Sequence, residues 1–249
     1  MAGKSSANRS LSRGMLILRA FRPGSEALGN GEIAELTGLP RATVSRLTQT
    51  LVDEGFLEHD RARRAYKLGA AVLGLAFSMR NSSRVLRLAA PLMAEVAQRE
   101  RINVGLAIAD EDEMVYLESI RLSSRKSIRT VMPGQRIPME TTSLGRAWLS
   151  TLPEDRRAPL FARFEARHPR LWPSMQEEIS QAIRGVHETG YCAASWLPNV
   201  LAVATPIILG ENSVYALNAS VTSEQAREQV VARLRKPLLD LASAIARAL

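Results

Sequence analysis

Cysteine occurs once in this 249-residue chain, histidine three times, and aromatic side chains make up only 5% of it. The lone Cys192 excludes an intrachain disulfide and a cysteine-built zinc site, and His59, His168 and His187 are too scattered to form a ligand cluster. No metal and no cofactor are therefore expected. An enzyme would need an activated nucleophile or an acid–base pair, but Cys192 has no histidine partner visible in sequence. Paired carboxylates and a Gly-rich phosphate loop are also missing, so the expectation is a protein that is not an enzyme. No run of about 18 uncharged apolar residues occurs, and the N-terminus lacks the basic-then-apolar pattern of a secretory signal. A cytoplasmic protein with no membrane partner is expected.

What the chain does have is enough apolar sequence to build cores, at 46% hydrophobic and 23% charged residues, and a net charge of +8. The first 80 residues hold 12 Lys+Arg against 7 Asp+Glu, so the basic excess is concentrated there and favours a polyanionic partner. Residues 1–10 read as a disordered tail. Apolar residues at Leu11, Met15, Leu18 and Phe21 recur at helical spacing until Pro23-Gly24. Gly31 opens a short second helix with Ile33, Ala34 and Leu36 expected to face inward, and Thr37-Gly38-Leu39-Pro40 supplies a tight turn. A third helix, Arg41 to Glu54, buries Val44, Leu47 and Leu51. Its other face carries Arg41, Thr43, Ser45, Arg46, Gln49 and Thr50, groups suited to phosphate oxygens and base edges in a major groove. Two strands, Phe56–His59 and Ala65–Leu68, flank a tip holding Arg61, Arg63 and Arg64, where a wing could lie along a phosphate backbone. Helix, turn, helix and basic wing in this order predict a winged helix-turn-helix over residues 11–68.

Residues 69–81 read as a linker helix whose Val72, Leu73, Leu75 and Ala76 need a cover, a partner subunit being the natural one. From residue 82 onward, after a helix ending near Arg99, the period shortens to that of strands. Ile102–Ile108 and Met114–Arg121 read as a hairpin, Ser127–Met132 as a third strand, and Pro133-Gly134 to Pro138 as a connection. Helices follow at Leu144–Leu152, Glu154–Arg167 and Ser174–Thr189. Strands follow at Tyr191–Trp196, Val200–Leu209 and Val214–Val221, and a terminal helix runs over Glu224–Leu249. The fold class is α+β: an N-terminal winged helix-turn-helix, a linker helix, and a C-terminal antiparallel sheet flanked by helices over residues 82–249.

Thr142 or Ser143 is placed to cap the helix that follows, and a helix N-terminus attracts a carboxylate. Asn218 and Ser220 share a strand face with Val214 and Ala216, so two polar groups point into whatever that face covers. An internal role for both, in a C-terminal domain that only oligomerises and binds no effector, is the alternative.

Leu11-Ser12-Arg13-Gly14, Glu32 to Val44, Tyr66-Lys67-Leu68-Gly69, Gly134-Gln135-Arg136-Ile137-Pro138 and Ser143-Leu144-Gly145-Arg146-Ala147 together resemble the IclR family of bacterial regulators. The resemblance covers essentially the whole chain. Leu11–Phe21, Thr142–Arg146 and Ala216–Val221 look most like the branch controlling aromatic-acid catabolism through the β-ketoadipate pathway. The resemblance implies a GAF-like effector domain and a regulator that binds double-stranded DNA at an inverted-repeat operator. It implies a homodimer, with pairing of dimers into tetramers, and a small carboxylic-acid effector lined by Arg129, Ile137, Ser143, Leu144, Asn218 and Ser220. The chain departs from the glyoxylate- and pyruvate-sensing pattern. A cysteine position falls on Ala202, an acidic one near Ala194 or Ser195, and a histidine position on Glu140, while Arg129 adds a cation able to clamp a carboxylate.

Overall fold

A computed structural model describes residues 8–121, 132–197, 199–210 and 213–249. The chain divides into two compact units, Met1–Ser82 and Ser83–Leu249. The first contains α1 (Arg9–Ala20), β1 (Leu28–Gly29), α2 (Asn30–Thr37), α3 (Arg41–Asp53), β2 (Leu57–Asp60), β3 (Ala65–Leu68) and α4 (Ala70–Ser82). Ile17, Ile33, Val44 and Leu57 are buried where the three helices meet the small sheet, with Leu28 and Tyr66 closing the cluster. Gly38 ends α2 at φ +68°, the left-handed turn that lets Pro40 start α3 two residues later. Strand β3 lies between β1 and β2, both antiparallel to it, in register Leu57↔Leu68 and Leu28↔Tyr66. β1 is too short to carry a readable period.

Several expected inward faces turn out otherwise. Leu36 is 62% exposed, because an eight-residue helix packs through little more than the turn around Ile33. In α1 the buried residues are Gly14 and Ile17, while Leu11 and Met15 are exposed. In α3 Leu47 and Leu51 are only half-buried, and Thr48 is fully buried between Val44 and Leu51. A threonine survives there because its hydroxyl donates to the Val44 carbonyl at 3.0 Å.

The second unit runs α5 (Arg84–Glu100), β4 (Asn103–Asp110), β5 (Glu113–Ile120), β6 (Arg136–Pro138), α6 (Ser143–Leu149), α7 (Glu154–Arg167), α8 (Trp172–Thr189), β7 (Cys192–Leu197), β8 (Val200–Leu209), β9 (Ser213–Thr222) and α9 (Arg227–Ala248). Its antiparallel sheet has the order β6-β5-β4-β9-β8-β7. Period-two alternation splits the sheet's side chains between two cores. Leu106, Val203, Leu217 and Ala219 pack with Met93 of α5 and Leu234 and Ile245 of α9. Ala107, Ala204 and Ala216 pack with Leu144 and Ala147 of α6 and Ile179 of α8. The protein is therefore α+β with helices on both faces of one sheet.

Residues 127–131 of the expected third strand lie outside the described residues, and Met132 is not in a strand. β6, in a stretch read as a connection, is the strand that pairs with β5. α6 is shorter than Leu144–Leu152. Ser150 and Thr151 bond the carbonyls of Ala147 and Trp148 three residues back, at 2.7 and 2.8 Å, and Pro153 disfavours helix at Leu152. Among the described residues no helix is long and apolar enough to cross a membrane.

Candidate functional site

In the first unit the outward face of α3 presents Arg41, Ser45, Arg46 and Gln49, all exposed, with Thr43 half-buried at its edge. The β2–β3 turn places Arg61, Arg63 and Arg64 in solvent, and Arg64 takes a positive φ of 49° to close it. Asp60 sets the wing. Its carboxylate accepts from the Arg63 amide at 3.1 Å and pairs with Lys67 at 2.9 Å, and these contacts, Lys67 first, hold its pKa below the usual carboxylate value. The His59 ring stacks on Tyr66 at 5.0 Å. Arg63 bonds Glu26 at 3.1 Å, and Gln49 donates to Asp53 at 2.8 Å. Both are exposed contacts of the kind worth little in water.

In the second unit the register brings a floor of small residues together on the α6 side of the sheet. One row across the strands runs Ala194, Ala202, Ser220 and Asn103, and the next runs Cys192, Ala204, Asn218, Gly105 and Ser119. Asn218 and Ser220 are 6% and 4% exposed, so two polar groups are buried within this floor. Ser143, Leu144 and Ile137 are buried on the same side, and the Cys192 thiol reaches the Ser143 carbonyl at 3.4 Å. Burial pushes the Cys192 pKa up to about 12, against the opposing pull of Arg146 and Arg227. A cavity of about 620 Å³ runs beside β7, lined by Arg146, Cys192, Ala194, Ser195 and Arg227. It therefore meets the floor at Cys192 and Ala194.

The loop before α6 is held rigidly. Thr142 caps the helix, its hydroxyl accepting from Gly145 N at 3.3 Å and donating to the Pro138 carbonyl at 2.7 Å. A Cβ on Gly145 would lie 2.1 Å from the Met139 carbonyl oxygen, so only glycine allows this approach. Arg146 donates to the Glu140 carbonyl at 3.0 Å and to Glu178 at 2.6 Å. The fully buried Glu140 carboxylate accepts from Arg167 at 2.9 Å and contacts His168 at 3.0 Å, and Arg167 also pairs with Asp112. The helix so fixed has seven residues, so its aligned peptides supply only a small dipole.

Of the residues expected to line an effector, Ile137, Ser143, Leu144, Asn218 and Ser220 come to one side of the sheet, and Arg129 lies outside the described residues. Tyr116 and Arg121, which no motif or spacing singles out, stand on the same side. The Tyr116 phenol, its pKa raised by burial, is in hydrogen-bond contact with Asn218 and Arg121, and Arg121 donates to Ser119 Oγ at 3.2 Å. Plain alternation puts Tyr116 and Arg121 on opposite faces. Register shifts by one residue where β5 passes Leu106 and Ala107, and this bulge returns both to the α6 side. Gly105 completes the arrangement, since a Cβ there would lie 2.5 Å from the Tyr116 ring and 2.6 Å from Asn218 Oδ1.

Residues 10–61 match the IclR helix-turn-helix domain, and residues 78–247 match the bacterial transcriptional regulator IclR C-terminal domain. The chain belongs to the IclR family. It is 34% identical over 220 residues to the HTH-type transcriptional regulator TsaQ1/TsaQ2 of Comamonas testosteroni, covering 87% of this chain and 79% of that one. Similarity to the Pca regulon regulatory protein of Pseudomonas putida is 24% over 218 residues, 80% of this chain and 74% of the relative. The crystal structure of an IclR family transcriptional regulator from Brucella abortus superposes with a TM-score of 0.88 at 33% identity, covering 100% of this chain and 97% of that one. This IclR-family member is thus a DNA-binding transcription regulator, and the proteins it resembles are regulators and not enzymes.

Proposed function

We propose that this regulator switches genes for the catabolism of a small carboxylic acid, aromatic or hydroxylated, by binding that acid in residues 82–249 and DNA through residues 11–68. The observation that carries the reading is the buried pair Asn218 and Ser220 set in the same cross-strand rows as Ala194, Ala202, Ala204 and Gly105. A few polar groups set among small side chains are the usual lining of a ligand site, and the cavity beside β7 reaches these rows at Cys192 and Ala194. Similarity to a Pca regulon regulator supports the aromatic branch. Arg41, Thr43, Ser45, Arg46 and Gln49 would meet the major groove and Arg61, Arg63 and Arg64 the backbone, at an inverted-repeat operator read by a homodimer. The dimer is supported by the linker helix α4, which has no buried residue and leaves Leu73, Leu75, Phe77 and Met79 exposed. Pairing of such dimers gives a tetramer.

A thermal-shift screen of aromatic and short-chain acids tests the effector reading. A ligand at 100 times its Kd adds about 2.7 kcal/mol of apparent stability. Stabilisation by an acid that Asn218→Ala diminishes is expected. If no acid stabilises the protein, the second unit serves assembly alone.

A further inference from the structure

Arg121 stands on the α6 side of the sheet, half-buried, in contact with Ser119 and Tyr116. Both partners are neutral. Among the described residues no Asp or Glu pairs with it, and the ten residues that follow it, Leu122 to Val131, contain no acidic side chain. Neighbouring arginines behave differently: Arg136 is paired with Asp110 and Glu113, Arg146 with Glu178, and Arg167 with Glu140 and Asp112. A guanidinium withdrawn from water without a counter-ion is costly, and the cost is offset when a carboxylate arrives to pair with it. The groups around it would suit the rest of such a ligand. Tyr116 remains a protonated phenol under burial, and Asn218 and Ser220 are neutral. The guanidinium fork matches a carboxylate in two parallel hydrogen bonds.

We infer that Arg121 holds the effector's carboxylate, with Tyr116 and Asn218, brought together over Gly105, holding the guanidinium in place and contacting the ligand body. This rests on the effector reading above and names the residue that sets its ligand class. Tyr116 and Gly105 are positioning residues for that contact. A primary amide of the same shape keeps the ligand's size and loses its charge, so discrimination between acid and amide reads Arg121 directly.

The experiment is titration calorimetry of the full chain with benzoate, 4-hydroxybenzoate and pyruvate, each beside its primary amide. Wild type should bind its best acid at least about tenfold tighter than the amide, the scale of one charge-assisted pair. Arg121→Met should bring acid and amide to within about threefold of one another, and Arg121→Lys should recover part of the preference. Ligand-free Arg121→Met should melt no lower than wild type, because it removes a desolvated cation that no carboxylate among the described residues pairs with. An acid that wild type binds no better than its amide overturns the inference without any variant. So does an Arg121→Met protein that keeps the wild-type preference, and either result leaves the effector reading standing. If none of the three acids binds wild type, the effector reading itself fails and this inference with it.

Discussion

At the scale of single residues, Cys192 and Gly145 carry the sharpest consequences. Cys192 is buried against Ser143, with its pKa raised to about 12 from an ordinary 9. The native thiol should resist thiol reagents at pH 8 and react only after denaturation, and rapid labelling of the native protein would contradict its placement. The folded state keeps this proton while the unfolded state releases it. Stability therefore falls as pH rises from about 9 to about 12, and Cys192→Ala should lose that part of the slope in alkaline unfolding curves. Gly145→Ala forces a methyl onto the Met139 carbonyl and should cost about 1–3 kcal/mol or more in denaturant unfolding. An unchanged midpoint would show that the loop before α6 is free to move. The sequence made Asn218 and Ser220 legible as a polar pair on one strand face. It could not show Tyr116 and Arg121 joining them, because a bulge breaks the alternation from which faces are read.

Among elements, α3 and the wing divide the labour of DNA recognition that the account assigns to them. Arg46→Ala should cost about 1–3 kcal/mol at the operator and relax preference at one base pair, measured by fluorescence anisotropy across operator variants. Arg63→Ala should weaken all sequences alike and flatten the salt dependence. Full operator binding by an Arg41→Ala, Arg46→Ala double variant would remove α3 from the interface. The order of helices and strands was legible because their apolar periods are long: α3, α7 and β8 lie where the pattern puts them within a residue or two. Short elements were not. β1 has two residues and β6 three, and what defines them is pairing with distant strands, Leu28 with Tyr66 and Ile137 with Met114. Which side of a helix is covered also escaped, since Leu11, Met15 and Leu36 have the right spacing but remain 47–62% exposed.

For the whole molecule, uncovered apolar residues gather in the DNA-binding unit. Leu11, Met15 and Leu16 of α1 and Leu73, Leu75, Phe77 and Met79 of α4 are all exposed. Dimerisation through this unit should bury them, so Leu75→Glu should shift light-scattering mass toward monomer and lower operator affinity without removing a DNA contact. A wild-type monomer at micromolar concentration would contradict this. On the proposed function, an acid bound in one unit changes what the other unit does to DNA. Coupling of this kind is a difference in operator affinity between ligand states, typically 5–150-fold, or about 1–3 kcal/mol. The most direct measurement is operator binding by the full chain, followed by fluorescence anisotropy with no additive, with a saturating stabilising acid, and with its amide. The acid should shift the operator Kd at least about fivefold and the amide should leave it unchanged; an operator Kd identical in all three conditions would rule out coupling between effector and DNA binding.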